Sequence, residues 1–108
     1  MTKAQQKEIN ERAYDFFDTA LSQFRHGDFS IRKLRSCQAK VYETSDFYLL
    51  QSYNTFVACI DKYTGILVDV LRTEYGYTPT SAQHISKFAS DYLCIPKWQA
   101  KILTTREV

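Results

Sequence analysis

Apolar positions along this chain follow two different periods. Between Lys3 and His26, the residues Ile9, Ala13, Phe16, Phe17, Ala20, Leu21 and Phe24 recur every three or four positions. That spacing lines them up on one stripe of an α-helix. Lys7, Glu8, Glu11, Arg12, Asp15 and Asp18 fill the other faces with charge of both signs, and Tyr14 falls at the stripe's edge. Thr2 and Gln5 have capping-box spacing, and Gly27 supplies the left-handed residue on which helices end. Beyond Gly27 the period shortens. Phe29, Ile31 and Leu34 predict a short turn or edge segment, and a strand follows from about Ser36 to Glu43.

Thr44-Ser45-Asp46 reads as a polar turn. Phe47 to Asp61, rich in aromatic and β-branched residues, predicts one buried strand, and its length predicts a bend or bulge near Ser52–Asn54. Lys62-Tyr63-Thr64-Gly65 is a hairpin turn with Gly65 at positive φ. In the returning strand, Ile66 to Arg72, residues Ile66, Val68 and Val70 share one face, and Leu67, Asp69 and Leu71 the other. Apolar groups on both faces indicate a central strand covered on each side.

After the aromatic loop Glu74–Tyr77, Thr78-Pro79 opens a second helix, within which Thr80 and Gln83 have capping-box spacing. Ala82, Ile85, Phe88, Ala89, Tyr92 and Leu93 form its expected buried face, and His84, Lys87 and Asp91 its outer one. Pro96 stops the helix, Trp98 anchors the connection, and Ala100 to Val108 is a final strand. The predicted order is α-β-β-β-α-β. It describes an α+β fold in which residues 1–108 form one domain, with about four strands in an antiparallel or mixed sheet and two helices.

Length and composition narrow the picture. A chain of 108 residues supports one core. Eight Tyr, seven Phe and one Trp supply much of it, and three Gly with two Pro leave little for disordered segments. A net charge of +2 does not by itself point to nucleic acid. Cys37, Cys59 and Cys94 are an odd, scattered set, the start is polar, and no apolar run approaches a bilayer's thickness. The expectation is a cytoplasmic protein with free thiols and no membrane contact.

Candidate chemistry is sparse. His26 sits where a helix C-terminus favours a cation, which makes it a cap. His84 reads as a surface or supporting histidine bonded to the Tyr75–Thr78 loop, and Cys94 falls on a different helical face from it. Asp61, Asp69 and Glu74 have the residue types of an acidic nuclease cluster, but an Asp next to a hairpin turn is mostly turn chemistry. With no metal-ligand or phosphate-loop spacing, no catalytic, metal or cofactor residue is assigned.

The strongest signal is charge. From Arg25 to Lys40 there are five basic residues and one acid, Asp28. Arg32, Lys33, Arg35 and Lys40 are candidate partner contacts, with Tyr42, Tyr48 and Tyr53 as stacking or anchor groups for unpaired bases. An acidic protein groove would suit the same patch, and so would the simpler role of charges that keep an edge strand from aggregating.

From Leu50 to Phe88 the chain resembles small accessory proteins of Gram-positive plasmids and phages. Ser52-Tyr53-Asn54-Thr55, Ile60-Asp61, Tyr75-Gly76-Tyr77-Thr78, Ser81-Ala82-Gln83-His84-Ile85 and Lys87-Phe88 carry the likeness, and the closing Thr104–Val108 fits it. In size and character the chain is similar to type II-A anti-CRISPRs, inhibitors of the CRISPR RNA-guided nuclease. The resemblance implies a non-enzymatic inhibitor from a mobile element, acting in the host bacterial cell. Its implied partners are a type II nuclease, its guide RNA, or both. Two other readings stay open: an accessory protein that binds nucleic acid, and an RNA-cleaving enzyme using His84 or His26. Pairing of the final strand with a second copy would give a homodimer. The first helix and the basic segment lie outside the resembling stretch.

Overall fold

Thr2 starts the first helix as its sequence spacing requires. In the computed structural model, which describes residues 2–34 and 38–108 (the backbone alone at Lys33), the Gln5 N–H donates to Thr2 Oγ1 at 3.1 Å and the Thr2 N–H to Gln5 Oε1 at 2.9 Å. This capping box opens α1, Lys3–Arg25. At the other end His26 is the C-cap, its Nδ1 donating to Ser22 O at 2.6 Å, and Gly27 turns the chain at φ +81°.

Six strands follow: β1 (Ser30–Lys33), β2 (Ala39–Glu43), β3 (Phe47–Ser52), β4 (Thr55–Asp61), β5 (Leu67–Asp69) and β6 (Ile102–Thr104). They lie in the sheet in chain order, each antiparallel to its neighbour except β6, which runs parallel to β5. A parallel pair needs a crossover. Here it contains α2 (Leu71–Glu74), α3 (Pro79–Leu93) and a 3₁₀ turn (Lys97–Gln99).

The pleat sends alternate side chains to two cores. On one face Ala13, Phe17 and Ala20 of α1 pack on Phe47, Leu49, Cys59, Val68 and Val70. On the other, Ile85, Phe88 and Ala89 of α3 pack on Val41, Leu50, Ala58, Ile60 and Leu67. The sheet is thus the middle of three layers, with β5 covered on both faces as its pattern predicted. The α+β class and the single domain agree with the sequence; the count does not, since the described residues form six strands and three helices instead of about four and two.

The differences have local causes. Phe47–Asp61 is two strands joined at Tyr53-Asn54, with Tyr53 at φ +55° and Ser52 opposite Thr55. The expected bend is therefore a hairpin, and the irregular register lies between Leu50 and Gln51, opposite Ala58 and Phe56. The Ile66–Arg72 strand is cut short because Asp69 Oδ1 accepts the Leu71 N–H at 3.0 Å and Val70 O accepts that of Glu74 at 2.9 Å, folding the chain into α2. Thr78, not Thr80, caps α3: its hydroxyl accepts the Ser81 N–H at 3.2 Å, and Pro79 fits the first turn.

The strand predicted over Ala100–Val108 is regular from Ile102 to Thr104, with the Thr105 N–H still donating to Asp69 O at 2.9 Å. Beyond it α1 takes over the backbone. Gln6 Nε2 donates to Thr104 O at 3.0 Å, while Asn10 accepts the Arg106 N–H at 3.1 Å and donates to Arg106 O at 2.7 Å. These are groups that strand pairing with a second copy would use. Trp98, expected as an anchor, is 80% exposed. Among the described residues no helix is long and apolar enough to cross a membrane.

Candidate functional site

β1 is the edge of the sheet: one side pairs with β2, and no described strand pairs with the other. Alternation sorts the predicted contacts onto opposite faces. Ser30 stands opposite Glu43, Ile31 opposite Tyr42, Arg32 opposite Val41, and Lys33 opposite Lys40. Val41 belongs to the α3-side core and Tyr42 packs against the α1-side core. Arg32 therefore shares the α3 face with Glu43 and Tyr48, while register positions Lys33 and Lys40 fall on the α1 face. Arg35 lies outside the described residues. The sequence placed these cations in one strip; the pleat divides them.

Arg32 is already paired. Its Nη2 lies 2.7 Å from Glu43 Oε1, and Lys62 Nζ lies 2.8 Å from Glu43 Oε2. Lys62 also donates to Thr44 O at 2.7 Å and sits 5.1 Å from the centre of the Tyr48 ring. Hydrogen bonds from Lys62 first and Arg32 second hold the Glu43 carboxyl below its usual range. Lys40 is exposed on the opposite face of the sheet.

The three tyrosines occupy three environments. Tyr42 joins Phe24, Phe29 and Phe56 in an aromatic cluster, with centroids 4.9, 5.5 and 5.8 Å away, and its hydroxyl donates to Gln51 at 3.2 Å. Tyr48 packs against Tyr92 on the other face, 4.8 Å between centroids. Tyr53, at the hairpin tip, is 42% exposed and lies 5.9 Å from the His84 ring. What sequence reasoning passed over is the apolar part of the edge: Ile31 is 63% exposed and Phe29 40%. The signal was present in the alternation of Phe29 and Ile31 with polar residues.

His84 does not face outward. It is 3% exposed, its Nδ1 lies 2.8 Å from Ser52 Oγ, and Ser52 Oγ lies 2.9 Å from Ser81 Oγ. These distances would suit a nucleophile and base, but Ser52 is 0% exposed and the group fills the core beneath the Tyr53 turn. The partner is thus β3 and not the Tyr75–Thr78 loop. Burial first, and the Lys87 charge second, push the His84 pKa below the ordinary value.

The carboxylates of the expected acidic cluster have separate partners: Asp61 accepts from Thr64, Asp69 from Leu71, and Glu74 from the Tyr14 hydroxyl. Among the described residues no three His, Cys, Asp or Glu side chains converge as metal ligands would. Burial raises the Cys59 thiol's pKa, whereas Cys94 is exposed at the left-handed end of α3.

Fold and edge together define a helix–sheet–helix α+β domain with a basic, partly apolar open edge. A family model described as "Family of unknown function (DUF8033)" matches residues 25–102, well over half the chain, and the chain belongs to that family. The match begins at the last residue of α1 and takes in β1 to β5 and α3. No curated protein and no solved structure matches the chain.

Proposed function

We propose that this protein is a binding module that interferes with the assembly of a type II CRISPR nuclease with its guide RNA, with β1 as its docking edge. The observation that carries the docking surface is Ile31, 63% exposed on the edge strand β1 between Ser30 and Arg32. Soluble surfaces seldom leave a β-branched residue and a neighbouring Phe29 open on an edge that can accept another strand. Cations beside an apolar anchor suit a partner with acidic rims, and the free backbone edge offers strand addition. The choice of nuclease as partner rests on the sequence resemblance.

Purified protein is incubated with nuclease alone, guide RNA alone and the preformed complex, and captured material is weighed against assembly of active complex. Capture of the nuclease with loss of guide loading is the expected result. If the protein binds guide RNA instead, affinity falls with salt by about 0.7 log units per decade for each phosphate neutralised. Binding to nucleic acid with no effect on assembly would replace this reading with the accessory-protein one.

A further inference from the structure

We propose that a pocket at the far edge of the sheet, beyond the carboxyl ends of β5 and β6, is a recognition site for a phosphate group. These are the two parallel strands of the sheet. The pocket has a volume of about 150 Å³, and its lining includes Asp69, Arg72, Tyr77, Lys97, Thr104 and Arg106.

Three cations from separate parts of the chain converge on it: Arg72 from α2, Lys97 from the 3₁₀ turn, and Arg106 just past β6. None of them forms an ion pair with a described carboxylate. Asp69 is the one acid in the lining, and its Oδ1 already accepts the Leu71 N–H at 3.0 Å. Like charges gathered around a recess repel each other unless an anion joins them, so the surplus favours an anionic guest. The Arg72 guanidinium lies 4.8 Å from the Tyr77 ring centre, a contact that fixes the fork in place before a ligand arrives.

The recess has room for one phosphorus and its four oxygens. The group carrying the phosphate then projects past Tyr77, which is 56% exposed and presents a ring to a base. This site is at the opposite edge of the sheet from β1 and does not depend on the docking reading.

Calorimetric titrations at low ionic strength with inorganic phosphate, AMP and adenosine test it, together with amide shifts of Arg72, Tyr77, Lys97 and Arg106. Phosphate and AMP should bind and move those amides, and adenosine should bind at least about tenfold more weakly than AMP. Equal affinity for phosphate and AMP identifies free phosphate as a sufficient ligand; tighter AMP adds the Tyr77 ring. Arg72→Gln and Arg106→Gln, both at exposed positions, should each weaken AMP about tenfold without lowering thermal stability. The proposal fails if adenosine equals AMP, if the double variant binds AMP as the parent does, or if neither phosphate nor AMP binds at about 10 mM.

Discussion

Acidification is predicted to loosen this fold through one residue, His84. Its ring is 3% exposed, and burial holds its pKa below the ordinary value. In the unfolded chain it returns to about 6.5. Below that pH the unfolded chain takes up a proton that the folded chain resists. The stabilisation is therefore complete above the unfolded pKa and is lost as pH falls towards the folded one. Within that window the slope has an upper limit of about 1.4 kcal/mol per pH unit, that of one proton. For a domain of this length a loss of that size corresponds to roughly 6 °C in melting temperature. Urea unfolding between about pH 7.5 and about pH 5.5 measures the slope, with His84→Gln as the comparison. Glutamine cannot take the proton, and it keeps a polar group near Ser52. The variant should be less stable at neutral pH yet nearly flat across the window. A parental curve that is flat, or a variant curve of the same slope, would refute the reasoning.

Glu43 acts in a separate window. Its folded pKa is lowered, so its contribution is present above the ordinary carboxylate pKa and disappears as pH falls through the folded value. Glu43→Gln should cost about 1 kcal/mol or less through Lys62, whose side chain is 24% exposed, and should flatten the acid limb of the stability curve. Phe88→Ala should cost about 3–5 kcal/mol in chemical denaturation, because Phe88 is 0% exposed between α3 and the sheet. A loss under about 1 kcal/mol would mean the core closes over the gap.

Local signals carried much of the fold. The Thr2–Gln5 box, the glycine at the Lys62–Gly65 turn and the two-faced pattern of Ile66–Leu71 are each settled by neighbouring residues, and each appears where the sequence placed it. The Tyr53-Asn54 turn was less legible: it has no glycine, and its aromatic and β-branched flanks continue on both sides. His84 was misplaced for a different reason. A polar side chain enters a core only when partners wait there, and Ser52 is 32 positions away in the chain. The candidate edge was half legible. Charge marked its segment, but which cations share a face depends on register, and the pairing of Arg32 with Glu43 depends on the antiparallel pairing of β1 with β2.

Ile31→Asp tests the docking edge most directly. The side chain is exposed, so the fold and its unfolding curve should be unchanged. Measured by loading of guide RNA onto the nuclease, the parent protein should block assembly, and the variant should block it at least about tenfold less well. An Ile31→Asp protein that blocks loading as well as the parent would place the contact elsewhere and contradict the account.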